Sequence, residues 1–245
     1  MEYMDGGSLA DRLEEYPSGL PLDEALWIGE CICHGVKLAH DYGIAHLDLK
    51  PSNILFRQTG RGTWDIPKIA DWGLARVLIE DSKGIDGFSP AFAAPEQFNP
   101  EQFGEPDSYT DVYQVGVILY SLLTGNPPYT GGLAEVRHRI INDRSLTPPS
   151  NICPEITSEV DGAVLQALSR SKSSRYPDIS RLGETLNTLR TDDHISKGKE
   201  YIPQEDSTWP LFQGDPTRSG LCNVSGPIGN VSSCSVLPNR SESWC

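Results

Sequence analysis

Apolar residues recur at helical spacing between residues 23 and 41 of the chain. The residues that share this face are Leu26, Ile32, Val36 and Ala39, with Ala25, Gly29 and Cys33 between them. Intervals of three and four residues between apolar positions are typical of an amphipathic helix. We therefore predict a long helix over residues 23–41, with Asp23 as its N-cap and Gly43 as its C-terminal stop. His40, near its end, is predicted to be a packed structural histidine.

A second segment, residues 111–124, has the sequence DVYQVGVILYSLLT and is apolar nearly all round. This composition predicts a helix that is buried on every side. Gly125 and the two prolines that follow it at positions 127 and 128 are expected to end the helix.

The remaining pattern predicts further helices and one short hairpin. Helical spacing recurs at residues 133–142, 158–169 and 179–189. Residues 54–57 and 66–70 are predicted to form a β-hairpin around the glycines at 60 and 62. Together these elements predict a mainly α fold with a short β-hairpin.

Composition narrows the class of protein. The 245 residues carry a net charge of −14, and such an acidic chain lacks the basic face of a nucleic-acid-binding protein. The acidic balance fits either the surface of a protein from a salt-loving microbe or an ordinary acidic protein. No apolar run reaches the roughly 20 residues of a membrane helix and no signal-peptide pattern opens the chain, so we expect a cytoplasmic protein. The six cysteines form no CxxC pair, and free thiols are expected.

Residues 46–53, with the sequence HLDLKPSN, and the later triplet Asp71-Trp72-Gly73 carry the candidate chemistry. Phosphoryl transfer needs a carboxylate to receive the proton of the attacking hydroxyl, a cation beside the moving phosphate, and oxygen ligands for Mg²⁺. Asp48 is the candidate base and Lys50 the candidate phosphate contact. Asn53 and Asp71 are the candidate metal ligands.

The spacing of the first stretch resembles the H-x-D-x-K-x-x-N catalytic loop of eukaryotic-type Ser/Thr protein kinases. The DWG triplet and the Ala94-Pro95-Glu96 segment follow at the distances typical of that family. The resemblance implies the fold of a kinase C-terminal lobe, ATP and Mg²⁺ as cofactors, and Ser or Thr of a protein as the substrate.

The same resemblance assigns further roles. They fall on Glu2 and Met4 (adenine contacts at the hinge), Leu55 (the floor under adenine), His46 (positioning of the loop), Ser89 (substrate positioning), and Glu96, Asp111 and Arg175 (scaffold, with Glu96 and Arg175 as a buried pair). Residues 74–88 fit an activation loop. Leu47 departs from the family, which often has arginine there, so activation by phosphorylation of that loop is less expected.

The resemblance begins at the hinge, in residues 1–9, and covers residues 1–190. The glycine-rich strand, the strand lysine and its glutamate partner of a kinase small lobe are not found in the sequence. We therefore expect a large lobe whose missing small lobe leaves the isolated chain weak or inactive. Residues 191–208 are predicted to be a linker. Residues 209–245 resemble the opening of a PQQ-like β-propeller repeat and are expected to be largely disordered, because a blade needs neighbours.

Two alternatives to a protein kinase stay open. The chain could be a non-catalytic kinase-lobe remnant or interaction module. It could also be a small-molecule phosphotransferase of the aminoglycoside type, which shares an H-x-D-x-x-x-x-N loop. The segment ending at Glu96, the helix containing Asp111, and Arg175 favour the protein kinase.

Overall fold

The computed structural model describes residues 4–59, 64–72, 89–142 and 145–190. In chain order the elements are α1 (Leu9–Glu15), α2 (Leu22–Asp41), β1 (Ile54–Arg57), β2 (Ile66–Ile69), α3 (Pro95–Phe98), α4 (Pro100–Phe103), α5 (Ser108–Thr124), α6 (Leu133–Asn142), α7 (Ser158–Ala167) and α8 (Ile179–Leu189). Short 3₁₀ turns cover Pro51–Asn53, Pro90–Phe92, Pro149–Asn151 and Lys172–Ser174. The predicted fold class, mainly helical with a short hairpin, is confirmed for this part of the chain.

Helix α5 forms the centre of the core. Every residue from Thr110 to Thr124 is buried, which explains why the segment is apolar around its whole circumference. Helix α2 packs against α5 and α8. The helices α2 and α5 approach closely at Gly29, where an added Cβ would collide with the side chain of Leu119.

Three predicted helix boundaries are wrong. Helix α2 begins one residue earlier, behind Pro21 in the cap position, so Asp23 lies in the first turn, where the helix dipole favours a carboxylate. Helix α5 begins three residues early because Asp107 caps it and accepts a hydrogen bond from the Tyr109 N–H. Helix α7 ends at Ala167, two residues early. The stop at Gly125 is confirmed, with φ of 80°.

The hinge segment runs beside the hairpin. Strands β1 and β2 pair antiparallel, with Leu55 opposite Lys68. On the other edge of β1, the Gly6 N–H donates to the Phe56 carbonyl at 2.9 Å and the Phe56 N–H donates to the Gly7 carbonyl at 2.8 Å. A Cβ at Gly6 would lie 2.7 Å from the Phe56 Cβ, so only glycine allows this approach. The predicted hairpin turn at residues 60–62 lies outside the described residues.

Several other predictions concern residues that the structure does not describe. They are the activation loop (74–88), the linker and propeller-like tail (191–245), and the hinge residue Glu2. The cysteines that are described, Cys31, Cys33 and Cys153, are free thiols, as predicted. None of the helices in the described ranges combines the length and apolar character that a membrane span requires.

Candidate active site

Asp111, in the first turn of α5, holds the start of the catalytic loop. Its Oδ2 accepts the N–H of His46 at 2.8 Å, and its Oδ1 accepts the N–H of Leu47 at 2.7 Å. A ring nitrogen of His40 lies 2.7 Å from Oδ2. The carboxylate is fully buried, and these contacts compensate for its loss of water. The buried central helix therefore sets the position of residues 46 and 47, and His40 has the structural role predicted for it.

Asp48 lies at the point where the candidate catalytic residues converge. The Lys50 Nζ donates to the Asp48 Oδ2 at 2.7 Å. The Asn53 Nδ2 donates to the Asp48 carbonyl at 2.9 Å and approaches its Oδ2 at 3.4 Å. The 3₁₀ turn Pro51–Asn53 makes this possible, because it folds Asn53 back towards the residues before the turn. The structure therefore brings Asp48, Lys50 and Asn53 together.

Asp71 follows a residue that is fixed to both ends of the loop. The Ala70 N–H donates to the Asn53 carbonyl at 2.8 Å, and the His46 Nε2 lies 3.0 Å from the Ala70 carbonyl. Because the His46 Nδ1 accepts the Asp48 N–H at 3.3 Å, the proton of this ring is on Nε2. Asp71 itself is exposed, with φ of 63°. The residue directly before Asp71 is therefore hydrogen-bonded to the backbone of Asn53.

Trp72, the middle residue of the DWG triplet, packs against the loop. Its ring lies 4.7 Å from that of His46, at an interplanar angle of 56°. Tilted ring pairs at this distance are favourable. The tryptophan therefore keeps residues 71 and 72 next to the histidine that contacts Asp48.

Two of the predicted adenine residues, Met4 and Leu55, belong to the described part of the chain. Leu55 forms a backbone bridge to Ser8 and is half-buried, as is Met4. Ser89 caps the turn Pro90–Phe92 without a side-chain capping bond. Among the described residues, no hydrogen bond joins Ser89 to Asp48 or Lys50, and its substrate-positioning role stays a prediction.

Glu96, the last residue of the segment 89–96 that the resemblance predicts to dock the substrate, forms a bidentate ion pair with Arg175. The Arg175 Nη1 donates to the Glu96 Oε1 at 2.7 Å, and its Nη2 donates to Oε2 at 2.8 Å. Both side chains are completely buried. The guanidinium also lies 4.9 Å from the centre of the Tyr113 ring, and burial raises the pKa of the Tyr113 phenol. The pair ties α3 to the chain before α8.

The side-chain oxygens of Asn53 and Asp71 are of the type that binds a magnesium ion. Mg²⁺ is usually held by one or two protein carboxylates or amides, with water and phosphate oxygens completing its shell. The hydrogen bonds that the Asn53 side chain makes to described residues use Nδ2, which leaves its amide oxygen available as a ligand. The carboxylate of Asp71 is exposed. No group of three or more His, Cys, Asp or Glu suited to a metal occurs in the described ranges, and magnesium bound with a nucleotide does not need one.

Sequence reasoning missed two residues that contact the loop. Gln97 and Gln114 both donate to the carbonyl of Leu47, at 2.8 and 3.0 Å. Neither lies in a recognised motif position, and nothing in the local sequence marks either one. Their contacts depend on the packing of α3 and α5 against the loop.

The family model and the related proteins that match this chain all belong to the protein kinases. The family model described as "Protein kinase domain" matches residues 1–179. The serine/threonine-protein kinase PknB of Mycolicibacterium smegmatis is 32% identical over 231 residues, which cover 93% of this chain and 36% of that protein. A probable serine/threonine-protein kinase of Clostridium perfringens, CPE1738, is 29% identical over 211 residues, covering 84% of this chain and 29% of its own length. The chain thus spans about a third of the length of these curated relatives.

A similarity to solved structures supports the fold. The crystal structure of the PknI kinase domain from Mycobacterium tuberculosis superimposes with a TM-score of 0.58 at 22% sequence identity. The match covers 77% of this chain and 63% of the PknI chain. At this level of identity the similarity establishes the fold alone.

Proposed function

Because this chain belongs to the protein kinase family, with residues 1–179 matching the family's domain, we propose that it serves the ATP- and Mg²⁺-dependent phosphorylation of Ser or Thr in protein substrates. The observation that supports this most is the convergence of Lys50 and Asn53 on Asp48. A carboxylate, a cation and an amide in contact are the groups that phosphoryl transfer uses.

In the proposed reaction, the substrate hydroxyl oxygen attacks the γ-phosphorus of ATP. Its proton passes to Asp48, the bond between the γ-phosphorus and the oxygen that bridges to the β-phosphate breaks, and ADP leaves. Asp48 needs a fixed direction for this role, and the Asn53 amide on its carbonyl supports that direction. Lys50 places a positive charge beside the reacting carboxylate and stabilises the negative charge of the phosphoryl group in transit.

Asn53 and Asp71 are the proposed magnesium ligands, and the bound ion would neutralise charge on the phosphate oxygens. The chain's own part is to fix these ligands relative to the base. Ala70 bonds Asn53 on one side and His46 on the other, so the two ligand segments and the loop form one hydrogen-bonded unit. We also propose that Ser89 positions the substrate, although Ser89 is not part of this hydrogen-bonded unit.

The hinge side of the site is proposed to hold adenine. Met4 and Glu2 would contact the base through their backbone, and Leu55 would form the floor. The positive φ of Gly7, 71°, turns the chain between this segment and the cap of α1. Residues 1–190 would be the kinase unit, 191–208 a linker, and 209–245 the start of a propeller-like repeat.

The isolated 245-residue polypeptide is proposed to bind ATP weakly. Its sequence contains no glycine-rich loop and strand lysine of the kind that cover the phosphates in kinases, and positioning supplies most of the rate in this chemistry. Isothermal calorimetry with Mg²⁺-ATP on this polypeptide is expected to show a Kd well above the micromolar range. A micromolar Kd would contradict this part of the proposal.

The proposed reaction is tested by phosphate transfer. The chain is compared with a chimera in which the small lobe of the mycobacterial PknB relative precedes residue 1, using [γ-³²P]ATP and a mixture of Ser/Thr proteins. We expect the chimera to produce phosphoserine or phosphothreonine, and EDTA to abolish the product. A folded chimera that labels no protein would refute the proposal, as would one that labels an aminoglycoside instead.

A further inference from the structure

Two glutamines reach the catalytic loop from different elements. Gln97 belongs to α3, directly after the proposed docking segment, and is half-buried. Gln114 belongs to the central helix α5 and is 1% exposed. A buried amide is costly unless its donors and acceptor are satisfied, so the partners of Gln114 indicate what its position requires.

Gln114 holds the backbone on both sides of Asp48. Its Nε2 donates to the carbonyl of Leu47 at 3.0 Å, and its Oε1 accepts the N–H of Leu49 at 2.9 Å. The first group belongs to the peptide unit before Asp48 and the second to the peptide unit after it. One side chain therefore fixes both peptide planes that determine where the Asp48 side chain begins.

Gln97 completes the arrangement and connects it to the docking segment. Its Nε2 donates to the same Leu47 carbonyl at 2.8 Å. Its Oε1 accepts the N–H of Ala94 at 2.9 Å and the second Nε2 hydrogen of Gln114 at 3.1 Å. Each donor and acceptor of the buried Gln114 amide is thus matched by a protein group, and a satisfied buried amide of this kind stiffens the backbone that it contacts.

The backbone at this place needs external support. Leu47 has φ of 63°, a left-handed conformation that an L-residue with a Cβ rarely adopts. Such a conformation persists where the surroundings over-determine it. Here the Asp111 carboxylate accepts the Leu47 N–H, and the two glutamines donate to the Leu47 carbonyl.

We propose that Gln97 and Gln114, the amide clamp, are positioning residues that hold Asp48 in its working direction and in register with the docking segment at residues 89–96. This inference rests on the proposed function, in which Asp48 is the base. The clamp acts through neutral hydrogen bonds on the backbone, and neither glutamine touches the carboxylate of Asp48.

Hydrogen exchange of the full 245-residue chain tests the clamp without any need for activity. The variants are Gln114→Met and Gln97→Met, which keep the side-chain length but remove the amide. Gln102→Met is the matched control, because Gln102 is exposed on α4 and its side chain bonds Asn99. Exchange is read by NMR at the amides of Leu49 and Ala94.

The two variants are expected to act on different amides. Gln114→Met should speed exchange at Leu49 about tenfold, the effect of removing one hydrogen bond. Gln97→Met should speed exchange at Ala94 by a similar factor and leave Leu49 protected, and Gln102→Met should change neither. If Gln114→Met does not fold, exchange at Ala94 in Gln97→Met still tests the clamp. Unchanged exchange at both amides in the folded variants would overturn the clamp.

The kinetic arm uses the PknB-lobe chimera described above. Both clamp variants should lower kcat about tenfold to a hundredfold, because a displaced base loses alignment, while the KM for ATP stays within about twofold. An unchanged kcat would overturn the positioning role. So would a rise in the KM for ATP by the same factor as the fall in kcat. If the unmodified chimera transfers no phosphate, the proposed function fails, and the exchange result still stands for or against the clamp.

Discussion

Removing Arg175 should cost this protein a large part of its stability. In the structure the Glu96 carboxylate is completely buried. Its Oε1 accepts from the Arg175 Nη1 at 2.7 Å and from the Thr110 hydroxyl at 2.8 Å, and its Oε2 accepts from the Arg175 Nη2 at 2.8 Å. Arg175→Met fills similar space but leaves that carboxylate, within the described part of the chain, with the Thr110 hydroxyl as its remaining hydrogen-bond donor.

The magnitude follows from the uncompensated charge. Breaking a buried ion pair from one side costs about 3–5 kcal/mol. The carbonyls of Ser169 and Tyr109, which accept from the guanidinium at 2.7 and 2.8 Å, lose their donor as well. With a urea slope of about 2 kcal/mol per molar, the unfolding midpoint should fall by roughly 2 M.

The assay is urea unfolding followed by tryptophan fluorescence, with an exposed arginine–glutamate pair as the matched control. Arg181 pairs with Glu184 on α8 at 2.8 Å, but these side chains are 65% and 62% exposed. Arg181→Met should therefore change the free energy of unfolding by no more than about 0.5 kcal/mol. The double variant Glu96→Leu with Arg175→Met should be more stable than the sum of the two single effects predicts.

The outcome that would refute this reasoning is specific. If Arg175→Met unfolds at the same urea concentration as Arg181→Met, the burial of Glu96 does not control stability. The same conclusion would follow if the double variant were as unstable as the sum of the single variants.

Three further predictions follow from burial, packing and charge. Burial raises the pKa of the Cys33 thiol, so iodoacetamide at pH 8 should alkylate it only after unfolding. The unfolded thiol ionises above about pH 8.5 while the buried thiol keeps its proton, so the free energy of unfolding should fall as pH rises above that value. Gly29→Ala should destabilise the folded protein by about 1–3 kcal/mol, because its Cβ would collide with Leu119. Gly162→Ala should stabilise it by about 0.5–1 kcal/mol, because its Cβ would meet no neighbouring group within 4 Å. Equal effects of the two variants in thermal unfolding would contradict the packing. Because Leu47 offers no cation to a phosphate, phosphatase treatment of the active chimera should leave kcat within about twofold, and a larger fall would show that a phosphate is needed.

The elements that the sequence predicted best are those whose signal is local. The all-apolar run of α5 and the periodic face of α2 identify helices from neighbouring residues alone. The spacing from His46 to Asn53 is also local, because one short turn joins these residues. For this reason the convergence of Lys50 and Asn53 on Asp48 could be anticipated from the sequence.

What could not be predicted depends on contacts between distant segments. Gln97 and Gln114 have no motif of their own, and they meet at the Leu47 carbonyl because the tertiary structure brings α3 and α5 to the loop. The left-handed backbone of Leu47 was also hidden, since leucine gives no sign of a positive φ. The start of α5 was missed because its cap, Asp107, precedes the apolar run.

The central claim is that Asp48 is the base of a phosphoryl transfer, and one substitution tests it most directly. Asp48→Asn in the PknB-lobe chimera removes the proton acceptor and keeps the shape of the side chain. Asp41→Asn is the control, since Asp41 is 55% exposed and pairs with Lys37 on the surface of α2. We predict that Asp48→Asn lowers kcat by about 10²–10⁴ with ATP affinity unchanged, and that Asp41→Asn matches the parent. A kcat for Asp48→Asn within a few-fold of the parent would contradict the account.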